Sequence, residues 1–255
     1  MSQGPVQSSK PRAITPRPRG AADMQLTREQ ALARKSKNPG PLEEIFYSHA
    51  GRPANKWAHY LPFYDRAFAP YRGSAVRMLE IGVSKGGSLD LWRKYFGPDA
   101  VLFGVDIDPA CAGHVDAPSQ VRIGSQADPG FLRGVAGEMG GIDIVLDDGS
   151  HVASHQRTTF QTLWPLLSPG GLYVIEDMHT AYWPHWEGGL RRPGAAVELG
   201  KGLIDDMHAW HHAEDEAWAA RDEVGTILIG DSIVAIEKIA TRPAPGHVWV
   251  GAPRE

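Results

Sequence analysis

The runs "VGTILIG" (224–230) and "SIVAIEK" (232–238) meet at Gly230-Asp231. A parallel pair needs a crossover of a dozen residues or more, so a join this short predicts an antiparallel hairpin. Five other short runs rich in apolar and β-branched residues precede it: "VRMLEIG" (76–82), "AVLFGVDI" (100–107), "QVRIG" (120–124), "IDIVLDD" (142–148) and "GLYVIED" (171–177). Helix-like blocks lie between them at 87–97, 108–114, 128–139 and 154–167, the last stopped by "SPGG". Alternation of this kind predicts an α/β domain with a mostly parallel sheet, closed by the C-terminal hairpin.

At 255 residues, one domain with a sizeable core is expected. The 42% hydrophobic and 22% charged content and the net charge of -4 give no basic surplus, so nucleic acid is not an expected partner. Cys111 is the one cysteine, which excludes an intramolecular disulfide framework and fits a reducing, cytoplasmic setting. No apolar run approaches the roughly 18 residues a bilayer span needs, so no membrane partner is expected either. Residues 1–40 differ in composition, with five prolines and eight Lys or Arg against two acids. Such a stretch cannot bury enough surface to offset its ordering entropy, and it predicts a flexible basic arm with at most one helix in "MQLTREQALARKSK", followed by the domain at 41–255.

"LEIGVSKGGSLDLW" reads as strand, glycine turn and helix, the place where such sheets take nucleotide-like ligands. It is neither G-x-G-x-x-G nor a P-loop, because Val83 and Ser84 follow Gly82, and Ser88 stands where the P-loop lysine would be. Instead Glu80 lies two residues before Gly82, Ser84 and Gly86 form the loop, and Asp106 ends the next strand. That layout suits a ligand with a cationic amino acid end and a ribose diol, as S-adenosylmethionine has. Gln126 in "IGSQAD" either reads the adenine edge or caps the helix that starts near Asp128.

In a doubly wound sheet that places the fourth and fifth strands side by side, they lie about 4.8 Å apart. "LDDGSH" and "VIEDMH" therefore bring Asp148, Glu176 and Asp177 to one sheet edge, an oxygen-donor set suited to Mg²⁺ or Mn²⁺. Consecutive residues of a strand point to opposite faces, so Glu176 and Asp177 can converge only where the chain leaves the strand. His151, beyond a Gly-Ser turn, overhangs this set as a general base. Asp147 either supports the cofactor side of the turn or caps a helix, and His155 is expected on the helix surface or as support. In "HTAYWPHWEGGLRRPG" (179–194), Tyr182, Trp183 and Trp186 could face a sugar ring or a flat aglycone, with ordinary packing or an oligomer contact as the alternative. His208, His211 and His212 read as a solvated helix face.

"LEIGVSKGGSLDLW", "GVDIDP", "DIVLDDGSH" and "GLYVIEDMHTAYW" together resemble the metal-dependent class I methyltransferases of the macrocin, mycinamicin and rhamnosyl O-methyltransferase group. The resemblance implies a Rossmann-like class I methyltransferase fold with a seven-stranded sheet in the order 3-2-1-4-5-7-6. It also implies Mg²⁺ on Asp148, Glu176 and Asp177, His151 as base, and methyl transfer to a sugar hydroxyl of a glycosylated natural product; a homo-oligomer is expected. Asn55 stands where the group more usually has Asp. A non-sugar acceptor of the catechol or cephamycin-pathway type, or a nicotinamide-dependent oxidoreductase, are the competing readings.

Overall fold

The structure is a computed structural model that describes residues 25–212 and 220–251. It divides into two units, 1–35 and 36–255. In the first, the described residues hold one short helix, α1 (Arg28–Leu32), closed by a capping box between Thr27 and Gln30. The single helix expected across residues 24–37 is thus five residues long. The remainder of the expected arm, residues 1–24, lies outside the described residues.

The second unit carries a seven-stranded sheet: β1 (Arg77–Ile81), β2 (Val101–Asp106), β3 (Gln120–Ile123), β4 (Ile142–Asp147), β5 (Leu167–Ile175), β6 (Val224–Gly230) and β7 (Ile233–Lys238). The order is β3-β2-β1-β4-β5-β7-β6. The first five strands run parallel, and β7 is antiparallel to both β5 and β6. The terminal hairpin forms as its short join requires, turning through Asp231 and a left-handed Ser232 (φ 64°).

Strand alternation sorts the core into two layers. Leu79, Ile81, Val145, Tyr173 and Ile175 face α5 (Pro129–Met139), α6 (Ala153–Leu163) and α7 (Ala196–Met207). Met78, Ile144, Leu146, Leu172 and Val174 face α2 (Pro41–Ser48), α3 (Tyr60–Phe68) and α4 (Gly87–Phe96). Burial on both faces explains why these strands read as near-continuous apolar runs. In α4, Leu89, Trp92 and Phe96 recur at helical spacing and all lie buried.

Two boundaries differ from expectation. The block at 108–114 is a 3₁₀ helix, Pro109–His114. "SPGG" does not stand between helix and strand, because α6 ends at Leu163 and β5 begins at Leu167. The register jumps there from Ile142↔Leu167 to Ile144↔Leu172, so Ser168–Gly171 form an irregularity at the start of the strand. Among the described residues, no helix is long and apolar enough to cross a membrane.

Candidate active site

A cavity of about 530 Å³ opens at the carboxyl ends of β1, β2, β3 and β4. This is the switch point of the sheet, where the crossovers diverge to opposite faces. One wall is the turn after β1, where Gly82 has φ +94° and a Cβ would sit 2.1 Å from the Asp148 carbonyl. Only glycine lets the loop approach the β4 turn that closely.

Asp106 ends β2 on the cavity wall. Its partial burial opposes ionisation, yet the backbone N–H groups of Asp108, Ser84 and Val83 hold it below the usual carboxylate range. It is a fixed anionic acceptor, of the kind a diol requires. Gln126 also lines the cavity, but its amide is engaged: Nε2 donates to Asp147 (3.1 Å) and Thr159 (3.1 Å), and Oε1 accepts from Ser150 N–H (2.6 Å).

Other residues assigned to the cofactor from sequence lie off the wall. Glu80 faces the α4 layer, fully buried, where it accepts from Ser88 Oγ (2.9 Å) and Trp92 Nε1 (3.2 Å). Burial pushes its carboxyl up to about 7. Asp147 faces the opposite layer, 3.4 Å from the Tyr173 hydroxyl, and burial pushes it up to about 6. Gly86 is the left-handed N-cap of α4 (φ 78°), with a Cβ position that would strike the His114 carbonyl. These three shape the loop and its base, whereas Gly82 and Ser84 line the cavity itself.

At the β4–β5 edge, one ligand atom from each of Asp148, His151 and Asp177 falls within 4.8 Å of the others. His151 Nε2 stands 4.0 Å from Asp148 Oδ1 and 3.8 Å from Asp177 Oδ2, while its Nδ1 is buried without a partner among the described residues. Left-handed backbone at His151 (φ 57°) and Asp177 (φ 52°) aims both side chains. Asp177 escapes the strand alternation in this way, beyond the end of β5. Glu176 keeps the alternation and points with Val174 towards α3, where Tyr64 O–H and Lys56 Nζ (2.7 Å) donate to it. The expected three-carboxylate set is thus divided, with Asp148 and Asp177 beside His151, and Glu176 behind them.

Four of the side chains that make this arrangement escaped the sequence reading. Lys56 Nζ also donates to Asp148 Oδ2 (2.5 Å), and its side chain is 3% exposed. Burial opposes its charge, but Asp148 and Glu176 hold the ammonium pKa well above its ordinary value. Trp57 Nε1 (2.9 Å) and the Tyr60 hydroxyl (2.8 Å) donate to Asp177 Oδ1. Tyr64 completes the group. Tyr60 and Tyr64 lie one turn apart on α3, with Lys56 and Trp57 in the segment just before it, and the i, i+4 spacing of the tyrosines is the signal that could have pointed to a shared face.

Beyond the carboxylates, aromatic rings continue outward from Trp57 to His179 (5.4 Å), Trp183 (5.0 Å) and Trp186 (5.4 Å). Tyr182 is 46% exposed. Glu187 accepts from Ser154 N–H (3.0 Å) at the start of α6, which fastens this aromatic segment to the turn bearing His151. His155 lines the cavity rather than the outer helix surface, with Nδ1 2.9 Å from Ser150 Oγ.

Residues 79–178 match the model of a methyltransferase domain. Over 231 residues the chain is 41% identical to 8-demethyl-8-(2-methoxy-alpha-L-rhamnosyl)-tetracenomycin-C 3'-O-methyltransferase of Streptomyces olivaceus, covering 85% of this chain and 58% of that protein. It is 46% identical over 161 residues to mycinamicin VI 2''-O-methyltransferase of Micromonospora griseorubida, covering 57% and 39%. Among solved structures it resembles the MycE methyltransferase of the mycinamycin biosynthetic pathway in complex with Mg, SAH and mycinamycin VI, with a TM-score of 0.66 and 36% identity over 74% of this chain and 52% of that one. The chain spans about half the length of the curated relatives it matches. By its fold and this domain the chain belongs to the class I methyltransferases, and the relatives it matches there are the macrocin, mycinamicin and rhamnosyl O-methyltransferases.

Proposed function

We propose that this chain transfers a methyl group from S-adenosylmethionine to a sugar hydroxyl of a glycosylated natural product, with a divalent cation at Asp148 and Asp177. The observation that carries the reading is the group Asp148, His151 and Asp177, with donor atoms within 4.8 Å, beside a cavity that also presents Asp106. Two carboxylates whose oxygens converge beside an imidazole Nε2 fit such a cation. Hard cations prefer the oxygens, which leaves the imidazole free for proton transfer.

An aliphatic hydroxyl is hardly ionised at neutral pH, and a bound Mg²⁺ or Mn²⁺ supplies Lewis acidity that lowers its pKa. His151 Nε2 takes the proton as the oxygen–methyl bond forms and the sulfur–methyl bond breaks, releasing S-adenosylhomocysteine. Asp106 accepts from the ribose hydroxyls and the 82–84 loop approaches the amino acid end, so that positioning contributes much of the rate. The row of Trp57, His179, Trp183 and Trp186 offers ring faces to the acceptor, with Tyr182 at its outer margin.

The deciding experiment is a mass-spectrometric methylation assay, with and without EDTA, across glycosylated polyketides, enediynes and free phenols. EDTA-sensitive gain of one methyl on a glycoside is expected. Turnover of catechols alone, or turnover indifferent to EDTA, would overturn the reading.

A further inference from the structure

Glu80, Asp148 and Glu176 belong to equivalent rows of three adjacent parallel strands. Glu80 lies opposite Leu146, which lies opposite Val174, and Asp148 and Glu176 each follow two residues later. Strand alternation therefore turns all three carboxylates towards the α3 layer. One ammonium meets two of them there. Lys56 Nζ donates to Asp148 Oδ2 at 2.5 Å and to Glu176 Oε1 at 2.7 Å, and lines the cavity from its buried position. Asp148 is shared, with Oδ2 on Lys56 and Oδ1 turned towards His151 and the cation site.

A buried ion pair is weak evidence for stability, since well-packed apolar residues of similar volume serve a fold as well or better. The ammonium makes sense instead as part of the site's charge balance. Lys56 places one positive charge against Asp148 and Glu176, beside the oxygens that Asp148 and Asp177 offer a cation.

We propose that Lys56 governs the cation site as a positioning residue: its ammonium competes with the divalent cation for Asp148, keeping binding weak enough to exchange and fixing which Asp148 oxygen the cation can reach. This rests on the cation reading given above. A neutral side chain at position 56 removes a like charge next to the cation, so affinity should rise.

Mn²⁺ serves as the probe, with binding to the full, EDTA-stripped chain measured by electron paramagnetic resonance and calorimetry. Lys56→Gln and Lys56→Met are expected to bind Mn²⁺ on the order of tenfold more tightly than wild type. Lys56→Arg, which keeps the charge, should stay closer to wild type than either. Cooperatively melting neutral variants with unchanged or weaker affinity would overturn the proposal. Lys56→Gln retains hydrogen-bond donors, so it serves where the Met variant does not fold. An independent arm uses wild-type protein labelled with ¹⁵N at the lysine Nζ: Mg²⁺ should shift the Lys56 ammonium resonance, and an unmoved resonance under Mg²⁺ that still raises the melting temperature would also overturn it. Wild type that binds no Mn²⁺ would instead sink the cation reading itself, and the Lys56 proposal with it.

Discussion

Glu80 has no route to water, so its protonation state is decided by its neighbours. Burial raises its carboxyl to about 7, against the pull of Lys56 and the hydrogen bonds from Ser88 and Trp92. In the unfolded chain the same group titrates near 4.3. Between those values the folded state holds a proton the unfolded state has released, so stability falls as pH rises. The contribution is fully present below about 4.3 and is lost as pH passes through about 7, an effect on the order of 3 kcal/mol. Glu80→Gln, permanently neutral, should flatten the pH dependence of urea stability between pH 5 and 8 and be relatively more stable than wild type at pH 8. An unchanged slope would mean that Glu80 is ionised in the fold. His151 is tested differently, because its φ of 57° penalises alanine for backbone reasons alone. His151→Asn tolerates the left-handed backbone and should lower turnover about 10²- to 10⁴-fold while S-adenosylhomocysteine affinity holds within error. Lost cofactor affinity would mark a structural role.

At the scale of elements, α3 and the residues just before it reach across the sheet to grip the end of β5. Tyr60 binds Asp177 and the Ser232 carbonyl, and so joins the carboxylate edge to the β6–β7 turn. Tyr60→Phe leaves Asp177 with Trp57 alone and should cost about 1–2 kcal/mol, read as a lower urea midpoint at constant slope. It should also weaken Mn²⁺ binding, because Asp177 loses one of its two orienting donors. The strands and the hairpin were legible in the chain, since each depends on a local period or a short join, whereas the edge bearing Asp148 and Asp177 also needed the strand order that the family resemblance implies. The alternation also determines that Glu176 turns towards α3, but not what meets it there. Lys56 lies 92 residues from Asp148 and 120 from Glu176, and no local pattern carries a pairing of that range. That Glu80 and Asp147 lie off the cavity wall has a related reason. Nearness to the glycine loop along the chain is no guide to which face of the sheet a side chain occupies. "SPGG" was read as a stop because Gly and Pro punctuate helices and turns alike, whereas here the strand absorbs them through a register shift.

On the scale of the whole unit, the two apolar layers lie on opposite faces of the sheet, and the cavity lies at the edge where crossovers leave for opposite sides. Its wall draws on the turns after β1, β2, β3 and β4 and on the segment before α3, so a ligand seated there touches elements from both layers. Such a ligand should stabilise the unit as a whole, because unfolding either layer dismantles its site. At a hundredfold excess over its dissociation constant, S-adenosylhomocysteine adds about 2.7 kcal/mol, which for a domain of this size amounts to a rise of about 5–11 °C in melting temperature. The transition should remain single, and NAD(H) should leave it unmoved. Mg²⁺ should add a further increment that EDTA removes, while leaving the response to S-adenosylhomocysteine largely intact, since Asp106 and the 82–84 loop hold a different part of the cavity from Asp148 and Asp177. Stabilisation by NAD(H) in place of S-adenosylhomocysteine would restore the oxidoreductase reading. A shift confined to an early, partial transition would show instead that the cavity belongs to one layer and does not couple the two.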